Sequence, residues 1–227
     1  MAVDETLVTS VASSGVPVLR FYGWRPATLS LGYFQGLAER AAHVASAACP
    51  VVRRPSGGGA IVHDRELTYC LVLPAKAPAA RDASRLYRCV HESLQAALQT
   101  WEIVVEIRAV TAALNPEPFL CFRRQAAGDV LCQGVKICGS AQRRHAGAVV
   151  QHGSILLATS RFAPELPGLA ELTGKVISGV DLAERLLGEL SPRLGGAVQQ
   201  PLTEAELALA ERTRQSKYAA ADWTAKR

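Results

Sequence analysis

Apolar residues recur along this chain with helical spacing, then strand spacing, then helical spacing again. Val3, Leu7, Val8 and Val11 share one face of a helix predicted over residues 2–13. Pro17–Tyr22 and Thr28–Leu31 read as strands parted by Gly23-Trp24-Arg25-Pro26. The alanine-rich stretch Gly36–Ala48 predicts a helix. Val51–Arg54 predicts a short strand that runs into Pro55-Ser56-Gly57-Gly58-Gly59, and strand character resumes at Ala60–Val62 and Leu67–Leu73. After a loop at Pro74–Ala80 comes the clearest helical period, Asp82 to about Trp101, with Leu86, Val90, Leu94, Ala97 and Leu98 at three- and four-residue steps. Ile103–Ile107 reads as a strand and Ala109–Pro118 as a loop. Further strands are expected near Phe119–Phe122, Val130–Cys132, Lys136–Cys138 and Ala148–Leu157. Beyond Ser160 the pattern turns helical, at 181–190, 203–217 and 219–225, and Thr203-Glu204-Ala205-Glu206 has the form of a capping box. Strands, a central helix, more strands and terminal helices predict an α+β fold: a mixed, largely antiparallel sheet with packed helices. Without an internal repeat or a long linker, residues 1–200 are expected to form one domain, with 201–227 a C-terminal helical extension packed on it.

Composition narrows the setting. Hydrophobic residues make up 49% of the 227, which supports a sizeable core. No apolar run approaches the ~18–20 residues of a membrane span. The opening Met1-Ala2-Val3-Asp4-Glu5 lacks the basic-then-apolar order of a signal peptide, so a cytoplasmic location is expected. Six cysteines (49, 70, 89, 121, 132 and 138) are scattered with no C-x-x-C pair. That argues against structural zinc and a disulfide scaffold, and no metal site is expected. A net charge of +5 favours acidic partners. Basic residues are not interleaved with aromatics, which are only 6% of the chain, so a nucleic-acid stacking platform is poorly supported. An acidic carrier protein fits the charge equally well.

Two segments are candidates for chemistry. The first is Arg53-Arg54-Pro55-Ser56-Gly57-Gly58-Gly59-Ala60, followed by His63-Asp64. Three consecutive glycines weaken a strand, so they mark either a tight hairpin or a backbone passing close to a ligand. The two arginines favour an anionic or carbonyl-bearing ligand. No Gly-Lys-Ser/Thr closes the loop, which excludes a Walker A phosphate loop. The second is Gly134-Val135-Lys136-Ile137-Cys138-Gly139-Ser140-Ala141-Gln142, closed by Gln151-His152-Gly153-Ser154. It reads as two short strands joined by a polar turn. It is either an ordinary hairpin with an exposed lysine or a lysine set beside small residues that admit a ligand. His63 and His152 are compatible with structural and with site roles. Cys138 alternates with Lys136, so periodicity alone leaves it on the lysine's face.

Taken together, these segments resemble the lipoate/octanoate protein ligase and transferase family. The resemblance extends to Leu19-Arg20-Phe21-Tyr22-Gly23-Trp24-Arg25-Pro26, to Ser30-Leu31-Gly32-Tyr33-Phe34-Gln35 and to Lys217-Tyr218 with Trp223, and so covers nearly the whole chain. It implies the biotin/lipoyl-ligase catalytic fold, with an acyl chain held between the glycine-rich loop and the Lys136 strand. The binding residues it implies are Arg54, Ser56, Gly57, Gly58, Gly59, His63, Gly139, Ser140, Ala141, His152 and Gly153.

Two chemistries share that fold. ATP-dependent lipoate ligases, which use ATP and Mg, form an acyl-adenylate. Octanoyltransferases take the acyl group from a carrier thioester onto a cysteine and need no cofactor. Family ligases usually carry an Asn-Asp pair before the lysine strand; here Leu120-Cys121-Phe122 stands instead, with Cys121 fifteen positions before Lys136. This Cys-Phe, with Glu66-Leu67-Thr68-Tyr69, resembles the LipM-type octanoyltransferases. Gly57-Gly58-Gly59 is the more ligase-like spelling, since the transferases often have Gly-Gly-Arg. The resemblance therefore implies catalytic Cys121 and Lys136, octanoyl-acyl carrier protein as donor, and a lipoyl-domain protein such as the glycine-cleavage H protein as acceptor. A monomer, with no nucleic-acid or membrane partner, is expected.

Overall fold

A computed structural model describes residues 1–111 and 115–227. Its main sheet has six strands in the order β1-β5-β9-β8-β7-β6, antiparallel throughout. These are β1 (Val18–Tyr22), β5 (Glu66–Pro74), β6 (Glu106–Ile107), β7 (Val130–Cys132), β8 (Val135–His145) and β9 (Ala148–Leu156). A smaller sheet has the order β3-β2-β4, with β2 (Thr28–Leu31) parallel to β3 (Val51–Arg53) and antiparallel to β4 (Ile61–His63). The expected mixed, largely antiparallel α+β architecture is what forms.

Alternation on the central strands assigns the two faces of the main sheet. Odd positions of β5, including Leu67, Tyr69, Leu71 and Leu73, join the principal core with Leu86, Val90 and Leu94 of α2 (Ala83–Gln99) and Leu182, Leu186 and Leu190 of α4 (Gly179–Leu194). Even positions, Cys70 and Val72 of β5 with Ala148 of β9, pack against Leu7, Val8 and Val11 of α1 (Ala2–Ser14). Beside α1 on this second face lies the small sheet, with its own core of Leu29, Leu31, Ala60, Val62 and Leu120. The glycine-rich segment thus comes to lie over β8 and β9.

Helix ends follow their sequence signals. Asp82 caps α2 by accepting from Ser84 and Arg85 N–H, and Thr203 and Glu206 form the capping box that opens α5 (Glu204–Thr213). A π-turn over Arg214–Tyr218 and a short α6 (Ala221–Thr224) follow α5. A short α3 (Leu169–Thr173), with buried Leu169, was not signalled by the pattern. Arg53, fully buried, donates to the carbonyls of Gly32, Gln35 and Thr224, and so joins this C-terminal segment to the small sheet.

Several local expectations are corrected. Gly36–Ala48 forms 3-10 turns at Leu37–Ala42 and Val44–Ser46, because Leu37–Ala42 has no buried residue that would dock an α-helix. Gly139–Arg144 is strand, not turn; β8 runs on to His145, and the turn is Ala146-Gly147, both with positive φ. Positive φ at both central residues gives the two-residue hairpin its twist, and Gln133-Gly134 does the same between β7 and β8. The expected strand at 103–107 shortens to Glu106–Ile107, paired with two residues of the three-residue β7. Phe119–Phe122 supplies a parallel bridge from Leu120 to Ala60 and then a 3-10 turn, Cys121–Arg123. The expected loop at 109–118 includes residues 112–114, outside the described residues.

Candidate active site

The bridge between Ala60 and Leu120 brings Cys121 to the glycine loop. Ala60 N–H donates to Phe119 O, and Cys121 N–H donates to Ala60 O, both at 2.8 Å. A Cβ on Gly59 would lie 2.8 Å from Phe119 O and 2.9 Å from Cys121 N, so the two segments approach only because that position is bare.

Lys136 reaches the same place from β8. Its Nζ lies 4.0 Å from Cys121 Sγ and 3.4 Å from Cys121 O, and it forms an ion pair with Asp129 Oδ2 at 2.8 Å. Lys136 and Asp129 are both buried. A bulge places the lysine. Val130 pairs with Cys138 and Leu131 with Lys136, which leaves Ile137 as the extra residue on β8. The strict alternation behind the Cys138 reading is thereby broken. Cys138 joins the principal core, its sulfur 3.9 Å from His91 Nε2, and burial pushes its thiol up. Lys136 instead folds over Gly139, where a Cβ would lie 2.6 Å from its Cε.

The other residues expected to bind ligand divide between the two faces. Ala141 and Gly139 pair with His152 and Ser154. Ser56 Oγ lies 2.6 Å from His152 Nε2 and so fastens the glycine loop to β9. Burial, and then the nearby Arg54 charge, pull His152 down to about 4, so its ring is neutral at neutral pH. The Ser140 hydroxyl lies on the opposite face, bonded to Tyr69 Oη and His91 Nε2 at 2.6 Å each. A Cβ on Gly153 would meet Tyr69 Cε1 at 2.6 Å on that same face. Ser140 and Gly153 therefore offer the cleft no side chain, because each sits one strand position off the cleft-facing set.

Arg54 and His63 are also differently placed from the sequence expectation. Arg54 is buried and donates to Ser30 O, Ser30 Oγ, Gly57 O and Gly59 O. It braces the glycine loop from behind, so its Nη hydrogens are not available to an anion. His63 lies between Ser30 Oγ at 2.8 Å and Glu66 Oε1 at 3.0 Å, with the Trp24 ring stacked on it at 4.2 Å.

The sequence pattern of the lipoyl protein ligase A/B catalytic domain matches residues 1–175. The chain belongs to this family. Octanoyltransferase LipM of Bacillus subtilis (strain 168) is 36% identical over 169 residues, which cover 69% of this chain and 60% of that protein. Octanoyltransferase LipM of Kyrpidia tusciae is 33% identical over 256 residues, covering 98% and 92%. The match thus spans three-fifths of the length of some relatives and nearly all of others. Among solved structures, protein Ta0514 of T. acidophilum superposes with a TM-score of 0.81 at 21% identity, over 100% of this chain and 92% of that one. A lipoate-protein ligase A bound with ATP superposes at 0.75 and 22%, over 99% and 92%. At that identity the likeness establishes the fold.

On this family fold, a cavity of about 120 Å³ opens beside the Ser56–His152 contact, with Val8, Pro55 and Val150 among its lining residues. Its other walls are mostly charged or polar, with Asp4, Glu5, Arg143, His145 and Lys217. Two residues of the site had no role in the sequence reading. Asp129 precedes β7 just as Lys136 begins β8, so hairpin pairing was the signal for their ion pair. Glu66 carried a family spelling but no local sign that it would orient His63.

Proposed function

We propose that this protein is an octanoyltransferase that carries an octanoyl group from acyl carrier protein, through a Cys121 thioester, to a lysine of a lipoyl-domain protein such as the glycine-cleavage H protein. The observation that carries this reading is the 4.0 Å approach of Lys136 Nζ to Cys121 Sγ beside the glycine loop. The LipM relatives, named octanoyltransferases, support it over the whole-chain match.

The chemistry follows from these groups. Cys121 thiolate adds to the carbonyl carbon of the octanoyl thioester, and Lys136 stabilises the oxyanion of the tetrahedral adduct. Collapse breaks the bond to the carrier sulfur, and the departing thiolate takes a proton from the Lys136 ammonium. The acceptor lysine's neutral amine then adds to the Cys121 thioester. The C–S bond breaks, an amide forms, Cys121 leaves as thiolate, and the amine's proton returns to Lys136. A thioester is already activated, so neither half-reaction needs ATP. Asp129 keeps the lysine against Gly139 through both steps. In this reading the acyl chain runs under the glycine loop toward the cavity beside Ser56 and His152, where Val8 and Val150 are the apolar walls among charged ones.

Intact-mass measurement after incubation with octanoyl-carrier protein and no ATP tests this reading. One octanoyl adduct is expected, sensitive to hydroxylamine and lost in Cys121→Ser. No adduct, or an adduct that survives Cys121→Ser, refutes it. Acyl-adenylate formation from ATP and free octanoate, with activity retained in Cys121→Ala, establishes the ligase instead.

A further inference from the structure

Two cations lie near the Cys121 sulfur, Lys136 in contact with it and Arg54 across the bare position of Gly58, and they differ in what balances them. Lys136 Nζ is 4.0 Å from Sγ but only 2.8 Å from Asp129 Oδ2. With both partners buried, the carboxylate cancels much of the lysine's field at the sulfur. The Arg54 guanidinium lies beside Gly58. A Cβ on Gly58, whose φ is +90°, would lie 3.2 Å from Arg54 Nη2 and 3.8 Å from Cys121 Sγ. Guanidinium and sulfur therefore flank one small space that no side chain fills.

Arg54's acceptors are all neutral oxygens, and among the described residues no carboxylate lies within 4.0 Å of it. It reaches an acid only through two intermediates. Arg54 Nη1 donates to Ser30 Oγ at 3.2 Å, and Ser30 Oγ is hydrogen-bonded to His63 Nε2 at 2.8 Å. His63 Nδ1 in turn lies 3.0 Å from Glu66 Oε1. Thr68 Oγ1 also donates to that oxygen, and Trp24 stacks on the imidazole. The relay fixes the guanidinium in place and keeps the balancing carboxylate away from the sulfur. Burial lowers Arg54 to about 10, the Cys121 charge acts the other way, and the group stays cationic at neutral pH.

We infer that Arg54 is the principal cation supporting the Cys121 thiolate, positioned by Ser30, His63 and Glu66, and is not a contact of the acyl donor. This rests on Cys121 being the nucleophile.

Alkylation by iodoacetamide tests the inference, because that neutral reagent needs no acyl site. The rate at the Cys121 peptide is read by mass spectrometry at pH 7 on the full chain. Arg54→Gln is expected to slow alkylation about tenfold and to leave KM for octanoyl-carrier within about twofold. Arg54→Lys is expected to recover part of the alkylation rate. An unchanged rate with a raised KM assigns Arg54 to the substrate and overturns the inference. Should Arg54→Gln fail to fold, Asp129→Asn addresses the same claim from the other cation. With its carboxylate neutralised, Lys136 should speed alkylation about threefold or more; an unchanged or slower rate also overturns it. A protein whose Cys121 alkylates with this pattern yet forms no octanoyl thioester refutes the proposed transfer and leaves the Arg54 assignment standing.

Discussion

Gly139→Ala places one methyl group where Lys136 now lies. Its Cβ would fall 2.6 Å from Lys136 Cε, 2.9 Å from Nζ and 3.2 Å from Asp129 Oδ1. Carbon atoms settle at about 3.5–4.0 Å, so Cε must retreat by roughly 1 Å. The lysine end is flexible and the strand is not, so the side chain moves and β8 keeps its register with β9. A misplacement of about 1 Å in a catalytic group costs up to about 100-fold in rate, or ~2.7 kcal/mol of activation free energy. Folding loses less: a strained ion pair worth about 1–2 kcal/mol lowers Tm by about 2–8 °C. Single-turnover acylation, followed by quenched-flow mass spectrometry, should therefore slow 10- to 100-fold (~1.4–2.7 kcal/mol) in a protein that still melts cooperatively. A Gly139→Ala protein that acylates at the wild-type rate refutes the reasoning, since the place of Lys136 against Gly139 would then not matter to the reaction.

Two further outcomes follow from buried charge. His152 has a folded-state value of about 4 against an ordinary 6.5, so it stays neutral in the fold while the unfolded chain takes up a proton. Its contribution is complete above pH 6.5 and is lost as pH falls toward 4, by about 2–3 kcal/mol. Urea unfolding at pH 7 and pH 4.5 should show a smaller pH-dependent loss in His152→Gln than in wild type, and equal losses would contradict the assignment. Arg53→Met removes hydrogen bonds to the carbonyls of Gly32, Gln35 and Thr224 and leaves the buried Gln35 carbonyl without a donor among the described residues. It should destabilise the fold by about 3–5 kcal/mol and speed proteolysis near Thr224. A Tm within a degree or two of wild type would show that the guanidinium is dispensable.

Periodicity located α1, α2 and most of the main sheet: the helices bury one face and their apolar spacing records it, while β5, buried on both faces, reads as a continuous apolar run. The cap residues Asp82 and Thr203 were legible for the same local reason. Gly36–Ala48 misled because alanine content favours helix only where a face is buried, and Leu37–Ala42 has no fully buried residue, with only Leu37 partly packed on the small sheet's core. Gly139–Arg144 misled in the opposite sense: small and polar residues look like a turn, yet here they continue a long strand whose alternate residues turn to opposite faces.

The site divides along the same line. Sequence alone offered Cys121, Lys136 and the three glycines as candidates, because their types and spacing resemble a known family. It did not settle which side chains face one another. A single bulge at Ile137 turned Cys138 into the core and Lys136 toward Cys121, and no periodicity shows where a strand adds a residue. Pairing across strands brought Asp129 to the lysine, turned Ser140 and Gly153 to the far face, and enclosed Arg54 among carbonyls behind the glycine loop. Several of these contacts are close in sequence, Arg54 with Gly57 and Gly59 among them, yet the physical cause of each is register and burial, which local pattern does not show. Local sequence determined the inventory of reactive groups; the tertiary structure decided which charge meets the thiol.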